Sequence, residues 1–445
     1  MMNYQEAWGF LDNLQFFKIK LGLESMRDFL ASVGNPHKNL RFVHVAGTNG
    51  KGSVSTTLRT ILTRGGYKVG LYTSPHLSCV RERFRIDERF ISEEAFARQA
   101  SVIRKALGEG QITYFEFATA LALLWFAEEQ VDVAILEVGM GGRLDATNVI
   151  TPLVSVITNV SMDHEQYLGN TLAAVAFEKA GVVKPGVPVV AGLDADESLT
   201  VVVQVCGERK APLFLLGREF AAVPGHEGRW DYRGIDDSHS LAGLQCRLKG
   251  GYQIGNAALA LAALEAIATT LPVSGEAIRQ GLLSVAWPGR LEYFCLADGN
   301  PVDCPPGSAT GQLASLRRYL LDGAHNPAGV ESLREALVSE FGYRRLILVW
   351  ACMGDKDVVA TLATIAPLAA RIIFTRPESE RSATPEQLTA ILAEEERGKT
   401  QGAETVGEAL SIAAEMAQSG DLICVAGSLY LVGAARKILL GEVAP

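Results

Sequence analysis

The stretch Phe42–Ser53, Phe-Val-His-Val-Ala-Gly-Thr-Asn-Gly-Lys-Gly-Ser, constrains this chain more than any other. Apolar Phe42, Val43 and Val45 give way to glycines around Lys51, and Val54 to Leu62 follows with apolar residues at helical spacing. The pattern predicts a strand, a tight glycine loop and a helix. Such a loop turns backbone N–H groups toward an anion, and the helix start adds its positive dipole end. A lysine inside the loop offers a point charge to phosphate oxygens, and a hydroxyl close behind it suits Mg²⁺. Thr48, Asn49, Gly50, Lys51, Gly52 and Ser53 are therefore candidate contacts for a nucleoside triphosphate. The spacing departs from the common phosphate loop: Val45 stands where the first glycine belongs, and Gly52 separates Lys51 from Ser53.

Further strands carry polar residues at their carboxyl ends, where open α/β sheets collect ligands. Val69–Thr73 runs into Ser74-Pro75-His76-Leu77. The continuous apolar run Val131–Leu136, typical of a buried parallel strand, ends in Glu137. An acid at that place beside a phosphate loop is the expected Mg²⁺ holder. Leu153–Thr158 leads to Asp163-His164, and the helix after it contains Lys179. A long apolar helix over 117–129 is preceded by Thr113-Tyr114-Phe115-Glu116: an aromatic wall, a hydroxyl and a carboxylate, suited to a flat ring rich in N–H donors. The arginine-bearing segment 78–92 reads as a solvated hairpin or a flap. Residues 186–252 read as short strands between polar turns, with 222–240 as an irregular surface loop. Residues 297–311, rich in Pro and Gly, read as a linker or excursion at the joint.

A second alternating unit follows. Tyr319–Asp322 is a strand, and Gly323-Ala-His-Asn326-Pro327 turns into a helix with Asn326 as N-cap and Pro327 in its first position. Apolar runs at 346–351, 371–375 and 422–426 extend a second parallel sheet. The fold class expected is α/β: a doubly wound, mostly parallel sheet domain with the phosphate loop (1–294), then a smaller Rossmann-like C-terminal domain (295–445).

A net charge of −9 gives no general affinity for nucleic acid or an anionic membrane. The longest apolar run, 117–127, is too short to span a bilayer. Seven scattered cysteines without a Cys-x-x-Cys pair point to free thiols in a reducing cytoplasm. No Asn is followed by Lys, so the guanine-specificity motif of a GTPase switch is missing.

The loop Gly47–Ser53 resembles that of the Mur ligase superfamily, most closely the folylpolyglutamate synthases and dihydrofolate synthases. The likeness continues through Thr73-Ser-Pro-His-Leu77, Glu137-Val-Gly-Met-Gly-Gly-Arg-Leu-Asp145, Met162-Asp-His164, Pro288-Gly-Arg290, Asp322-Gly-Ala-His-Asn-Pro327 and Gly427-Ser-Leu-Tyr430. It implies Ser74, Glu137 and His164 as Mg²⁺ ligands in two sites, and a carbamylated Lys179. It implies Asn256, Arg290, Asp322 and His325 as ATP contacts, with His164, Lys179 and Arg290 joining Lys51 in catalysis. Thr113–Glu116 with Leu144, and Ile19, Lys20 and Leu21, would line the pterin pocket. Lys20 stands where some bifunctional members carry an acid. The implied reaction is ATP-dependent ligation of L-glutamate to dihydropteroate and reduced folates by a monomer. A peptidoglycan Mur ligase shares the loop but usually carries an extra N-terminal domain, and only about forty residues precede the loop here.

Overall fold

The protein is described here by a computed structural model covering residues 1–14, 22–194, 196–304, 315–354, 356–377 and 382–441. Its first sheet contains β1 (Phe42–Ala46), β2 (Val69–Tyr72), β3 (Phe84–Ile86), β4 (Arg89–Phe90), β5 (Val133–Glu137), β6 (Val154–Ile157), β7 (Val189–Ala191) and β8 (Leu213–Leu215), in the spatial order β4-β3-β2-β5-β1-β6-β7-β8. The strands from β2 to β8 in that order run parallel. Every residue of β1 and β5 is buried, as expected for strands covered on both faces. Helices Lys51–Arg64, Tyr252–Ala266 and Gly275–Ser284 cover one face through Leu58, Leu261 and Leu282. The other face is covered by Glu93–Leu107 and Tyr114–Glu128 at one end and Leu172–Ala180 and Glu197–Glu208 at the other. β1 is central, so its carboxyl end and the loop after it open where the strand order reverses.

A small antiparallel sheet, β9 (Ala221–Pro224), β10 (Trp230–Arg233) and β11 (Leu241–Leu244), packs against the helix Tyr252–Ala266. The second large sheet has β12 (Glu292–Ala297), β13 (Asn300–Val302), β14 (Arg317–Leu321), β15 (Leu346–Trp350), β16 (Ala369–Phe374), β17 (Thr400–Gly402) and β18 (Leu422–Ala426), ordered β13-β12-β14-β18-β15-β16-β17. It is parallel except at the β12–β13 edge, and it buries a core on each face.

Several sequence expectations need correction. The segment 78–92 is no free hairpin: β3 pairs antiparallel with β2, and Arg83, Phe84 and Ile86 are buried. Within 186–252 a helix, Glu197–Glu208, replaces an expected strand. Asp196 caps it, and Ser198, Val202 and Cys206 bury one face at four-residue spacing despite the β-branched run. The supposed loop 222–240 contains β10, whose Trp230 and Tyr232 point inward while Asp231 and Arg233 point out. β12 runs across residue 294, so the second sheet begins ahead of the expected boundary. Cys295 and Cys304 face each other with Cα atoms 6.1 Å apart, because the β12–β13 hairpin folds residues nine apart back on each other. Of the excursion at 297–311, residues 305–311 lie outside the described residues, as do Ile19, Lys20 and Leu21. Among the described residues no helix is long and apolar enough to cross a membrane.

Candidate active site

The phosphate-type loop is built by glycines that no other residue replaces. Gly50 is the N-cap of the helix Lys51–Arg64 with φ 83°, and no side chain caps that helix. A Cβ on Gly50 would sit 2.5 Å from Asn256 Oδ1, and one on Gly52 would sit 2.7 Å from the Trp287 ring. The loop is therefore pressed between the helix Tyr252–Ala266 and the joint before β12, with its N–H groups facing a cavity. Thr48 and Asn49 are pinned to the end of β6. Thr48 Oγ1 donates to the Ser161 carbonyl (3.0 Å), the Asn49 N–H donates to Asn159 Oδ1 (2.9 Å), and Thr158 Oγ1 donates to the Asn49 carbonyl (2.5 Å).

That cavity, about 550 Å³, lies between the carboxyl ends of the two large sheets. It gathers Thr48–Ser53, Ser74, Glu137, His164, Lys179 and Asn256 from the first unit, and Arg290, Asp322 and His325 from the joint and second unit. Lys51 Nζ donates to the carbonyls of Gly47 (3.1 Å) and Thr48 (2.9 Å), and Lys179 Nζ reaches the same Gly47 carbonyl at 2.9 Å. Two ammonium groups thus share one acceptor, and among the described residues neither has a carboxylate at ion-pair distance. Burial pulls the Lys179 amine down to about 7, and Lys51 pushes the same way. Burial also lowers Lys51, against the pull of Glu137 and Asp163.

Glu137, at the tip of β5, is buried, and burial raises its carboxyl to about 7 against the opposing charge of Lys51. Its Oε2 accepts the Ser74 N–H at 3.3 Å. Among the described residues no three His, Cys, Asp or Glu side chains converge as a self-sufficient cation site. One carboxylate beside a hydroxyl and an open cavity still fits Mg²⁺, which keeps waters and takes substrate phosphates as ligands. His164 adopts φ 53° ahead of the helix Glu165–Leu168, and burial lowers its imidazole.

On the facing side, Asp322 accepts the N–H groups of Leu291 (2.9 Å) and Ala324 (2.8 Å), which ties the joint to the end of β14. Burial raises its carboxyl, with Arg290 opposing. His325 Nδ1 lies 2.8 Å from the Gly323 carbonyl, and burial, helped by Lys356, takes its imidazole down to about 4. Asn256 Nδ2 donates to Gln253 Oε1 (2.9 Å), and Gln253 Nε2 donates to Ser53 Oγ (3.2 Å).

Of the expected pterin residues, Thr113, Tyr114, Phe115, Glu116 and Leu144 are described, and none of these lines this cavity. Thr113 and Glu116 close a capping box on the helix Tyr114–Glu128, and Glu116 also accepts a hydrogen bond from Ser25. The Phe115 ring abuts Gly139, whose loop does line the cavity, and the Arg83 guanidinium lies 5.2 Å from the Tyr114 ring centroid. Leu144, partly exposed, sits on the same loop beside Asp145, which accepts the Gly139 and Met140 N–H groups at 3.0 Å each.

Sequence reading missed one constellation. Asp163 Oδ1 accepts from Lys356 Nζ at 2.5 Å, Asp163 Oδ2 accepts from Asn326 Nδ2 at 3.1 Å, and His325 Nε2 lies 3.9 Å away. Burial alone would raise the Asp163 carboxyl, but His164 and Lys356 outweigh it and hold it well below the usual range. The signal available was the clustering of charged and amide residues at strand ends; their meeting depends on how the two sheets face each other.

A phosphate-type loop opposed by a second α/β unit across a cleft is the layout of an ATP-dependent ligase, and two family models match in that order: "Mur ligase middle domain" over residues 45–264 and "Mur ligase, glutamate ligase domain" over 311–429. The chain is 33% identical over 450 residues to a dihydrofolate synthase/folylpolyglutamate synthase of Bacillus subtilis, covering 98% of this chain and 99% of that one. It is 35% identical over 460 residues to a probable bifunctional folylpolyglutamate synthase/dihydropteroate synthase of Haloferax volcanii, where it is covered in full but spans 51% of that protein's length. The structure of E. coli FolC in complex with DHPP and ADP superposes with a TM-score of 0.84 at 33% identity, over 98% of this chain and 97% of that one. The chain belongs to the folylpolyglutamate synthase/dihydrofolate synthase family of Mur ligases.

Proposed function

We propose that this protein joins L-glutamate to dihydropteroate and to reduced folates at the expense of ATP, through an acyl phosphate. The observation that carries this reading is the pair Lys51, half-buried, and Lys179, buried, both turned on one carbonyl at the open start of a helix. That arrangement lacks an anion, and a triphosphate supplies one. The substrate carboxylate attacks the γ-phosphorus and ADP leaves; the glutamate amine then attacks the acyl carbon and phosphate leaves. Lys51 and Arg290 face the charge that spreads over the transferring phosphoryl oxygens. Mg²⁺, held by Glu137 with Ser74 and His164, would neutralise phosphate charge. Asn256, Asp322 and His325 hold the nucleotide from both sides of the cleft, which keeps water from the acyl phosphate.

The Lys179 amine, brought near neutrality by burial, is suited to carbamylation: its nitrogen bonds the carbon of CO₂ and releases a proton, giving the oxygens a metal-rich site needs. The pterin ring stacks on Phe115, which abuts the cavity loop at Gly139, and on Tyr114, whose ring faces the Arg83 guanidinium. Thr113 and Glu116 shape the helix start that presents those rings, while Leu144, Ile19, Lys20 and Leu21 complete the pocket. ADP release measured with dihydropteroate, tetrahydrofolate or a UDP-muramyl substrate, each with and without L-glutamate, tests the reading. Glutamate-dependent release is expected with the first two. Release with the UDP-muramyl substrate alone rejects it.

A further inference from the structure

Three loops meet at one side chain. Asn326 opens the helix Pro327–Ser339 in the second unit, and its Oδ1 accepts the Gly329 N–H at 2.8 Å as an N-cap. The same oxygen accepts from Asn49 Nδ2 at 3.2 Å, while Asn326 Nδ2 donates to Asn49 Oδ1 at 3.1 Å and to Asp163 Oδ2 at 3.1 Å. All four hydrogen-bonding positions of the amide are in use, and the residue is buried. Its orientation is over-determined: turning the amide over would set donor against donor at Gly329 and acceptor against the Asp163 carboxylate.

Both partners across the cleft belong to the first unit. Asn49 is held to the end of β6 by Asn159 and Thr158, two positions before Lys51. Asp163 adjoins His164 and is gripped a second time from the second unit by Lys356. A helix cap alone asks only for an acceptor, which Ser, Thr and Asp supply as well as Asn. The two crossing donations from Nδ2 need an amide.

We propose that Asn326 is a positioning residue for the ligase reaction: it couples docking of the second unit to the geometry of the phosphate loop at Asn49 and of the Asp163–His164 loop. Only with the second unit docked are both loops held in register beside Lys51. Asn326 touches neither reacting atom; it acts through Asn49 and Asp163.

The test separates this role from capping. Asn326→Ser keeps an acceptor for Gly329 and loses the crossing donors. Three measurements apply to the full-length protein: steady-state ligation, thermal unfolding, and hydrogen exchange resolved by peptide. Expected for Asn326→Ser is a fall in kcat of about tenfold or more with an ATP KM within about twofold, the sign of an interaction used in the transition state. The unfolding midpoint should stay close to wild type. Exchange should rise over residues 47–53 and 161–164, far in sequence from the substitution. Asn49→Ala combined with Asn326→Ser should lose less than the product of the two single losses, because both remove the same Asn49–Asn326 pair. Faster exchange confined to 327–339, unchanged kcat, or losses that multiply in the double variant would each overturn the proposal. It rests on the ligase reading for its kinetic arm alone. If the wild-type protein shows no glutamate-dependent ADP release, that reading fails, and the exchange data still decide the role of Asn326.

Discussion

The two large sheets each feed a central strand into a turn and a helix, and the two turns are built to opposite ends. After β1 the N-cap is Gly50, no side chain satisfies the helix start, and Lys51 opens the helix Lys51–Arg64 toward the cavity. After β14 the N-cap is Asn326, whose amide accepts the Gly329 N–H, and Pro327 occupies the first position, where its missing N–H costs nothing. One helix start is left unsatisfied and so can take an anion; the other satisfies itself and sends its side chains across the cleft. The same local topology thus yields a binding end and a bracing end. The difference lies in whether the capping position has a side chain.

Removing the charge from the open end is expected to have the largest effect. Lys51→Ala should cut turnover by about 10³-fold, near the upper end of what one preorganised group supplies, while circular dichroism stays at wild type. A folded Lys51→Ala protein with near-normal ligation would remove the open helix start from the reaction. Next comes Glu137→Gln, across the cavity at the tip of β5. It should lower the rate by about 10²-fold and shift the Mg²⁺ titration to higher concentration, since its buried carboxylate lines the same cavity as Lys51 and offsets its charge. An unchanged Mg²⁺ titration would mean Glu137 balances Lys51 and holds no cation.

A smaller effect tests the comparison itself. Gly50→Ser gives the open helix the kind of residue that normally caps a helix. At φ 83°, with Asn256 Oδ1 2.5 Å from the new Cβ, the side chain is strained and displaces the loop. The expected result is an ATP KM raised about tenfold and no gain in melting temperature, in line with about 1–3 kcal/mol of backbone strain. A more stable protein with unaltered ATP KM would show that the missing cap is incidental.

What could be read from sequence divides along the same line. The open loop, the Asn326-Pro327 start, and the buried strands β1, β5 and β6 declare themselves through local spacing, glycines and capping chemistry. Glu197–Glu208 was missed because its valines favour strands, while its burial is set by contacts with the helix Leu172–Ala180. β10 was missed although Trp230-Asp231-Tyr232-Arg233 alternates in and out, because glycines and polar residues around it masked the period. The junction of Asp163 with Asn326 and Lys356 spans 163 and 193 residues, so no local pattern contains it. Thr113 and Glu116 were read as contacts for a flat ring and close a capping box instead, because whether a helix start faces ligand or core is a question of packing.

At neutral pH the smallest expected effect concerns the strands behind the two turns. β1 carries His44 in full burial, whereas β14, Arg-Arg-Tyr-Leu-Leu, has no group that titrates between pH 3 and 7. His44 Nε2 lies 2.8 Å from Thr147 Oγ1, which itself donates to Asp145 Oδ1 at 2.5 Å. The hydroxyl proton is therefore engaged with the carboxylate, so the imidazole carries its proton on Nε2 and donates to Thr147. Burial, with Lys184 adding to it, holds the His44 imidazole at about 3 in the folded chain, against 6.5 when exposed. Between those values the unfolded chain binds a proton that the folded chain refuses. Stability therefore falls as pH drops from 6.5 toward 3, by about 1.4 kcal/mol per pH unit once well below 6.5. His44→Gln places an amide N–H near the Nε2 position and cannot titrate. Its acid-unfolding midpoint should lie below that of the wild type, while stability at pH 7.5 changes by about 1 kcal/mol or less. Parallel acid-unfolding curves for the two proteins would show that His44 takes up a proton in the folded state, and that β1 is no more acid-sensitive than β14.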